Sequence, residues 1–251
     1  MKLSDNIVLI TGGATGIGLA LAEAFLAEGS AVVICGRRQS RLEEAKAKHP
    51  QLHTKACDVA DDTARRDLVA WLEANFPRLN ILINNAGLQR DIDFTRALED
   101  FLSGENEIRT NLESPIILTG LLVPLLAHNT DAAVINVSSG LGFIPAVKMP
   151  VYSASKAGLH AWSMAIRPQL AKVGIKVFEV VPPMVDTELN PEGRAKHGDF
   201  KADLTAEEFV AAVMAGLKAD VPEIGYGTSA HALRASREQL DKAFEAMNTR
   251  M

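Results

Sequence analysis

Short apolar runs that alternate with longer amphipathic stretches restrict the fold of this chain more than any other feature. The runs are brief, rich in β-branched residues and apolar on both faces, as expected of parallel strands covered on both sides. This alternation predicts an α/β protein with a doubly wound parallel sheet in three α/β/α layers. The predicted strands are Ile7–Ile10, Ala31–Cys35, Ile81–Ile83, Ala133–Val137 and Ile175–Val181.

The stretches between the strands carry apolar residues at helical spacing, so helices are expected there. No internal repeat or linker divides the sequence, which predicts a single domain over residues 1–251. Residues 188–203 are polar and are expected to form a lid over the substrate, and residues 229–248 are expected to form a helical C-terminal tail. The other predicted helices are Ile17–Glu28, Ser40–Lys48, Asp61–Asn75, Glu105–Ala127 and Ala154–Lys172.

Composition excludes several classes of partner. The 26 Lys and Arg against 31 Asp and Glu give a formal net charge of −5, so no basic excess is available to bind nucleic acid. Cys35 and Cys57 lie in apolar runs and are expected to be reduced core thiols. The sequence lacks the pattern of a signal peptide, and no window is expected to span a membrane. These features predict a cytoplasmic protein, and the scattered histidines predict no metal site.

A glycine-rich run from Thr11 to Gly18, TGGATGIG, follows the first strand and opens an amphipathic helix. This is the context of the phosphate-binding turn in a Rossmann-type fold, where the helix N-terminus offers free N–H groups. We expect Gly12 to permit the turn, Gly16 to let the backbone approach a pyrophosphate, and Gly18 to let the helix pack closely. The spacing is not G-x-G-x-x-G, no P-loop lysine follows, and a plain strand–helix connection is the alternative.

Tyr152 and Lys156 are four residues apart, which places both side chains on one face of a helix. A nearby ammonium favours the phenolate and lowers the pKa of a tyrosine from its usual value of about 10. Such a tyrosine suits general acid–base catalysis. Ser139 follows the strand Ala133–Val137, at the edge where ligands bind in open α/β sheets. Without other motifs, the alternative interpretation is that Tyr152 and Lys156 only form part of one face of an amphipathic helix.

Further motifs follow the glycine loop in order. The run Asn84-Asn85-Ala86-Gly87 closes the fourth strand, Asn111 lies in a long helical stretch, and a Tyr-x-x-x-Lys pair follows. Together with the Thr-Gly-x-x-x-Gly-x-Gly loop, they resemble the short-chain dehydrogenase/reductase family over residues 7–187. The resemblance implies an oxidoreductase that moves a hydride between a nicotinamide cofactor and a carbonyl or secondary alcohol.

The resemblance also implies roles for four residues. Tyr152 is the catalytic acid in reduction and the base in oxidation, and Lys156 binds the nicotinamide ribose and lowers the pKa of Tyr152. Ser139, which stands thirteen residues before Tyr152, polarises the carbonyl. Asn111 holds a water that relays protons through Lys156.

The end of the second strand bears on the choice of cofactor. In NAD-selective folds an acidic residue there binds the ribose hydroxyls, but this chain has Gly36, which leaves room for a 2′-phosphate. Arg37 could donate paired hydrogen bonds to that phosphate, and Arg38 is a secondary candidate. The sequence therefore favours NADP(H) over NAD(H), although both arginines could instead be solvated residues at the start of the next helix.

Other contacts follow from the resemblance alone. Asp58 stands where the family contacts adenine but could equally cap a helix. After the sixth strand Pro183 replaces the usual glycine, which is expected to stiffen the backbone near the nicotinamide. The remaining cofactor contacts that the resemblance implies are Thr15, Ile17, Val59, Asn85, Ala86, Gly87, Pro182, Val185 and Thr187.

The C-terminal third departs from common members of the family and is similar to a bacterial subgroup, the D-alanine–teichoic-acid esterification oxidoreductases. The run from Glu223 to Gly227 is expected to form the usual seventh strand. The family pattern also implies a homo-oligomer, a dimer or tetramer, in which the two long helices pair across a two-fold axis. The alternative is that these helices only cover the sheet. Their apolar residues include Ile116, Leu118, Leu122, Ala161 and Trp162.

Two other functions fit part of the pattern. A cofactor-sensing or scaffold protein would keep the nucleotide fold, but such proteins typically lose the tyrosine or lysine that this chain retains. Nucleotide-sugar epimerases use a similar pair but resemble longer chains with a Gly-x-x-Gly-x-x-Gly loop. The mostly apolar run 140–147 is expected to line the pocket, which suggests a ketone, aldehyde or quinone as substrate.

Overall fold

Seven strands pair side by side, all in parallel, to form one sheet in the computed structural model, which describes residues 1–96, 98–190 and 204–249. The strands are β1 Ile7–Thr11, β2 Ala31–Gly36, β3 His53–Ala56, β4 Ile81–Asn84, β5 Ala133–Val137, β6 Lys176–Val181 and β7 Glu223–Gly225. Their order in the sheet is β3-β2-β1-β4-β5-β6-β7. Strands β1 to β3 are added toward one edge and β4 to β7 toward the other, so the order of strand addition switches between β1 and β4. Ligands bind at such a switch point, at the carboxyl ends of the strands.

Helices cover both faces of the sheet. One face packs against α1, α2 and α7, and the other packs against α3, α5 and α6. Side chains along each strand alternate between the two faces, as in β4, where Ile81 and Ile83 join the first core and Leu82 joins the second. The doubly wound α/β prediction is confirmed. The described helices are α1 Gly16–Ala27, α2 Gln39–Lys48, α3 Asp62–Asn75, α4 Glu99–Leu102, α5 Ser114–Ala127, α6 Pro150–Ala171, α7 Ala206–Lys218, α8 Thr228–Ala232 and α9 Arg237–Asn248.

The helix predicted over Glu105–Ala127 is helical without a break from residue 107 to Ala127, but it is not α-helical throughout. A π-helical turn at Arg109–Glu113 leads into α5, which begins at Ser114. Pro115 lacks the N–H group that would bond the carbonyl of Asn111 in a regular α-helix. The sequence did not predict this π-helical turn, which contains Asn111.

Two other predicted boundaries are wrong. The helix that carries Tyr152 begins at Pro150 instead of Ala154, because proline suits the first helical turn. The C-terminal tail predicted over residues 229–248 is two helices, α8 and α9, since Ser236 caps α9 through a capping box with Gln239. The predicted lid lies mostly outside the described residues, since 191–203 fall there.

The stretch Arg109–Ala127 is long and apolar enough to cross a membrane by length and composition, with a mean hydropathy of 1.4. Leu118, Leu122 and Leu126 of this stretch are buried in the core that packs on the sheet. Core packing accounts for these three residues, while Ile116 of the same stretch is 38 % exposed.

Candidate active site

The glycine loop is shaped by two close approaches of the backbone. Gly12 has a φ of +64°, and a Cβ atom there would lie 2.9 Å from Cα of Ala86. A Cβ on Gly18 would lie 2.3 Å from the carbonyl oxygen of Gly12, so the first turn of α1 packs directly on the loop. Side chains at these positions would displace the backbone. The roles expected of Gly12 and Gly18 agree with this geometry.

The loop is tied to β4 by Thr11 and Asn85. The Nδ2 atom of Asn85 donates to the carbonyls of Thr11 and Gly12, at 2.9 and 3.1 Å. The hydroxyl of Thr11 accepts hydrogen bonds from the backbone N–H groups of Asn85 and Ala86, both at 3.0 Å. Asn85 and Ala86 thus hold the glycine loop against the end of β4. Thr11 was not predicted as a site residue, although a polar residue at the end of an apolar strand was the available signal.

The other predicted residues of this loop differ in their surroundings. Thr15 caps α1 by position, and its hydroxyl accepts a hydrogen bond from Arg38 at 3.4 Å. Ile17 packs against the core on the α1 side of the sheet. A Cβ on Gly16 would lie 3.1 Å from Cγ2 of Thr187, so the loop faces the segment that follows β6. The structure therefore brings Thr187 to the glycine loop.

The segment after β6 closes the cleft on the other side. The carbonyl of Pro182 accepts a hydrogen bond from the backbone N–H of Gly140 at 3.0 Å. Val185 is buried in the core, and Pro183 between them is half-buried. The backbone of Asp186 also pairs with the carbonyl of Leu204 at 3.0 Å. This segment is thus fixed to two neighbouring parts of the chain.

Arg37 and Arg38 lie at the end of β2 beside open space. Apart from its two chain neighbours, no atom of the described residues lies within 4 Å of the place where a Cβ on Gly36 would stand. The Arg37 guanidinium forms an ion pair with Glu105, with Nη2 3.2 Å from Oε2. Arg38 lies 3.4 Å from an oxygen of Glu188. Both arginines have acidic partners that the sequence did not predict.

Asp58 and Val59 follow β3. The carboxylate of Asp58 accepts a hydrogen bond from the N–H of Ala60 at 2.9 Å and so closes a turn. The cap of α3 is Asp61, which accepts from the N–H of Ala64 at 2.7 Å. The interpretation of Asp58 as a helix cap was therefore wrong. Val59 is buried in the core, and its backbone carbonyl accepts a hydrogen bond from Arg65.

Tyr152 and Ser139 meet at the carboxyl edge of the sheet. Both side chains are buried, with Tyr152 5 % and Ser139 9 % exposed. Burial raises the pKa of Tyr152 to about 12, hydrogen bonding by Ser139 lowers it, and the charge of Glu107 raises it. The expected lowering of this pKa is therefore not observed, because removal from water outweighs the effects that favour the phenolate.

Lys156 lies one helical turn beyond Tyr152. Its Nζ donates to the carbonyl of Val137 at 2.8 Å and stands 5.7 Å from the centre of the Tyr152 ring. Burial lowers the pKa of Lys156 to about 8, while the charge of Glu179 raises it. Gly87 completes this corner, since a Cβ there would lie 3.7 Å from Nζ.

Asn111 is fully buried in the π-helical turn and joins three parts of the site. Its Oδ1 accepts from the N–H of Leu88 at 2.8 Å, and its Nδ2 donates to the carbonyl of Leu88 at 2.8 Å and to Oγ of Ser155 at 3.0 Å. Ser155 lies between Tyr152 and Lys156 in the α6 sequence. Asn111 thus fixes the loop after β4 to the helix that carries the Tyr-x-x-x-Lys pair. π-Helical turns of this kind are frequent at functional sites.

Glu107 is a charged residue of the site region that the sequence did not single out. It is 1 % exposed, its Oε1 accepts from the N–H of Arg90 at 3.0 Å, and its Oε2 has no hydrogen-bond partner among the described residues. Burial raises its pKa to about 7. Within the described ranges, no group of three or more His, Cys, Asp or Glu side chains could hold a metal ion.

Comparisons with known proteins agree with this geometry. The model of the short chain dehydrogenase family matches residues 6–198. The "Uncharacterized oxidoreductase DltE" of Bacillus subtilis (strain 168) is 44 % identical over 249 residues, which cover 99 % of each chain. The NADP-dependent 3-hydroxy acid dehydrogenase YdfG of Escherichia coli (strain K12) is 31 % identical and covers 82 % of this chain and 83 % of its own length.

Among solved structures, a short chain dehydrogenase from Burkholderia cenocepacia J2315 in complex with NADP superposes with a TM-score of 0.82 at 26 % identity, covering 97 % of this chain and 99 % of that one. Other structures of the same fold hold NADP or NADPH and, in one case, NAD. The chain belongs to the short-chain dehydrogenase/reductase family, and it is an NAD(P)-dependent oxidoreductase of that family.

Proposed function

We propose that this protein transfers a hydride between NADP(H) and a carbonyl or secondary alcohol carbon, with Tyr152 as the general acid in reduction and the general base in oxidation. The observation that carries the proposal is the position of two buried hydroxyl side chains, Tyr152 and Ser139, at the carboxyl edge of the sheet, with Nζ of Lys156 5.7 Å from the centre of the Tyr152 ring. Two hydroxyl groups at one point offer a carbonyl oxygen two hydrogen-bond donors. Removal from water strengthens both interactions.

The residues around the glycine loop fit a dinucleotide. Gly12 and Gly18 leave no space for side chains but bring backbone N–H groups to the start of α1, where the helix dipole favours a pyrophosphate. When bound, the nicotinamide supplies or accepts the hydride. Pro182, Val185 and Thr187 would line its site, since Thr187 approaches the loop at Gly16.

In reduction, the Ser139 hydroxyl polarises the substrate oxygen and the Tyr152 hydroxyl delivers its proton there. A pKa of Tyr152 of about 12 keeps the hydroxyl protonated at neutral pH, so a proton is available, but it also makes the hydroxyl a weak acid, so proton delivery requires stabilisation of the phenolate. Lys156 is proposed to bind the nicotinamide ribose and to stabilise the phenolate left behind. Asn111 is proposed to support the proton route through its backbone carbonyl. Pro115 has no N–H to donate to that carbonyl. Both N–H donors of the Asn111 side-chain amide are already used, by Leu88 and Ser155.

The preference for NADP(H) is proposed from the end of β2. Gly36 has open space where NAD-selective members place a carboxylate, and Arg37 stands beside that space. A guanidinium can donate paired hydrogen bonds to a phosphate. Asp58 and Val59 are proposed to contact the adenine, with Arg38 as a second partner of the 2′-phosphate.

We also propose a homo-oligomer in the cytoplasm. Ile116 on α5 and Met164 on α6 are 38 % and 49 % exposed, which leaves apolar surface on both long helices. Leu118 and Leu122, by contrast, are buried in the core and only cover the sheet. Buried thiols at Cys35 and Cys57 suit a reducing compartment. Light scattering at micromolar concentration tests the assembly, and a monomer mass would contradict it.

The proposed reaction is tested by following NADPH absorbance with a panel of ketones, aldehydes and quinones. Wild-type protein should oxidise NADPH with at least one class, and Tyr152→Phe should lower that rate by about 10³-fold while its affinity for NADPH stays within about threefold. Wild-type rates in Tyr152→Phe would overturn the assignment of the proton donor. Tight NADPH binding without turnover on any carbonyl would favour a cofactor-binding protein without this activity.

A further inference from the structure

The C-terminal helix α9 is hydrogen-bonded to residues 145–148, here called the anchor segment, which lie shortly before the reacting tyrosine. The contact is made by the side-chain amide of Asn248, which bonds two backbone groups of the segment at once. Its Oδ1 accepts from the N–H of Val147 at 2.9 Å, and its Nδ2 donates to the carbonyl of Pro145 at 3.0 Å. The partners are 101 and 103 residues apart in sequence, so the end of the chain closes back on the segment.

The other two residues of the anchor segment are bonded to different elements. The N–H of Ala146 donates to Oγ of Ser153, in α6, at 3.2 Å, and this bond is buried. The carbonyl of Lys148 accepts from the N–H of Ile92, in the loop after β4, at 3.0 Å. The helix α9 is thus one of three elements that fix the anchor segment, and it bonds alternate residues of it.

The anchor segment leads directly into the first turn of α6, where Tyr152 lies. The N–H of Met149 donates to the carbonyl of Ala146 at 3.1 Å, and α6 begins at Pro150. Ser153, which bonds the N–H of Ala146, is the neighbour of Tyr152 in sequence. A displacement of the anchor segment therefore displaces the start of the helix that carries the proposed proton donor.

Close packing contributes little where α9 meets the anchor segment. A groove of about 420 Å³ lies there, lined by apolar side chains of the segment, by the start of α6 and by Phe244 of α9. Val147 is 50 % exposed, and within Arg237–Asn248 no side chain is fully buried. Where few apolar contacts are buried, a segment opens easily unless its hydrogen bonds hold it. The two bonds of Asn248 are therefore expected to determine the position of the segment on this side.

We propose that Asn248 is a positioning residue that clamps the anchor segment to α9 and so fixes the start of α6, with Tyr152, for the substrate. The inference rests on the proposed function, in which Tyr152 and Ser139 act on the substrate oxygen. Without the clamp the segment occupies several positions, and only some of them place Tyr152 correctly. Bound substrate selects the competent positions, so the cost falls on substrate binding and appears in KM more than in kcat.

Hydrogen exchange with mass spectrometry of peptides that cover residues 143–153 tests the clamp without turnover. In Asn248→Ala the N–H of Val147 loses its acceptor, and exchange of these peptides should become about fivefold faster. Thr249→Ala is the matched control, because the Thr249 hydroxyl donates to the carbonyl of Glu245 within the C-terminal helix region. It should leave exchange within about 1.5-fold of wild type. Asn248 is only half-buried, so both variants are expected to fold.

The consequence for the reaction is measured with the class of carbonyl that the wild-type protein reduces. Asn248→Ala should raise KM for the carbonyl by about five- to tenfold, with kcat and the affinity for NADPH within about twofold. Asn248→Asp keeps an acceptor for Val147 but loses the donor to Pro145, so its KM should fall between those of wild type and Asn248→Ala. Thr249→Ala should keep the wild-type KM.

Faster exchange together with a raised KM would support the inference. Unchanged exchange in Asn248→Ala, or faster exchange with an unchanged KM, would overturn it. Equal losses in KM, kcat and NADPH affinity would also overturn it, because they would show a general loss of structure. Exchange does not require turnover, so it separates the two proposals. Faster exchange in a protein that reduces no carbonyl would leave the clamp standing and remove the proposed reaction.

Discussion

The two ends of the proposed cofactor cleft are built in opposite ways. At the catalytic end, formed by Asn111, Ser139, Tyr152 and Lys156, every side chain is buried, and those of Asn111, Ser139 and Lys156 are hydrogen-bonded to neighbouring groups of the protein. At the arginine end, formed by Gly36, Arg37 and Arg38, the two arginine side chains are 44 % and 58 % exposed, and each pairs with an exposed glutamate, while Arg38 also donates to the Thr15 hydroxyl. The side chains of the catalytic end are held by other groups of the protein. The arginines of the other end and their glutamate partners are exposed to water.

This difference determines what each end tolerates. At the catalytic end a substitution leaves buried polar groups without hydrogen-bond partners, and water does not replace the lost partner. In the arginine end a changed side chain leaves groups that water can bond, and long side chains can rearrange. At the catalytic end we therefore expect large losses of activity or stability even for conservative substitutions. At the arginine end we expect smaller changes that depend on the substitution.

The largest effect is expected for Lys156→Arg, which keeps the charge but changes its shape. Nζ fits between the Val137 carbonyl and Gly87, and a planar guanidinium does not fit that space. We expect kcat/KM for carbonyl reduction to fall by about 10³-fold, measured with saturating NADPH. Arg37→Lys, the converse change at the arginine end, should cost less than about tenfold. Similar losses in both variants would break the comparison.

A large loss of stability is expected for Asn111→Ala. The substitution removes two partly buried hydrogen bonds with the backbone of Leu88 and one buried hydrogen bond with Ser155. The free energy of unfolding should fall by about 2–4 kcal/mol, measured by urea denaturation. Asn106→Ala is the matched control, because Asn106 makes an exposed bond to the N–H of Arg109. It should lower the free energy by less than about 1 kcal/mol.

The same contrast explains which features could be predicted from sequence. Ser139 lies at a strand end, and Tyr152 and Lys156 are one helical turn apart. Because the fold fixes both strand ends and helical spacing, the spacing of these residues in the sequence predicts that they come together. Thr11 and Asn85 follow the same logic at neighbouring strand ends. The carboxyl edge of the sheet was thus predictable from the order of motifs.

Other features depend on partners distant in sequence. The π-helical turn at Asn111 and the bond from Glu179 to His160 each join elements whose relative position only the folded chain reveals. The pKa of Tyr152 was predicted in the wrong direction because sequence shows the neighbouring lysine but not the burial. The glutamate partners of Arg37 and Arg38 lie 68 and 150 residues away, beyond any local pattern.

Glu107 is the exception at the catalytic end, since one of its oxygens is buried without a partner among the described residues. Its pKa in the folded state is about 7, above the usual 4.5, so the folded protein holds this proton more tightly than the unfolded chain does. The resulting stabilisation is complete below pH 4.5 and is lost as the pH rises through 7.

Glu107→Gln should therefore stabilise the protein more at pH 8 than at pH 5, with a difference on the order of 1–2 kcal/mol in urea denaturation. Glu113→Gln changes an exposed carboxylate of the same segment and should show a smaller difference between the two pH values. An equal effect of Glu107→Gln at both pH values would show that its carboxyl is already satisfied in the folded protein.

At the arginine end, Arg37→Ala should weaken NADPH binding by about tenfold and leave NADH binding within about twofold. The reason is that only NADPH carries the phosphate that the guanidinium would bond. Fluorescence titration of both reduced cofactors measures the two affinities. Arg41→Ala serves as control, because Arg41 pairs with Glu44 and Glu188 on the surface of α2. Equal losses for both cofactors would contradict the assignment of Arg37 to the phosphate.

The smallest effect is expected for Glu105→Gln, and it has the opposite sign. Glu105 occupies the guanidinium of Arg37 with an exposed ion pair, whose net contribution is about 0.2–1 kcal/mol. Without that carboxylate the guanidinium is free for a phosphate, and a nearby negative charge that repels the phosphate is lost. NADPH should therefore bind about two- to threefold more tightly, with NADH unchanged.

This gain should shrink at 0.5 M salt and vanish in the Arg37→Ala background, because both charges act through the same guanidinium. A gain that survives without Arg37 would show that Glu105 repels the cofactor directly. A loss of NADPH affinity would show instead that Glu105 holds Arg37 in the orientation needed for binding, and the arginine end would then be as preorganised as the catalytic end.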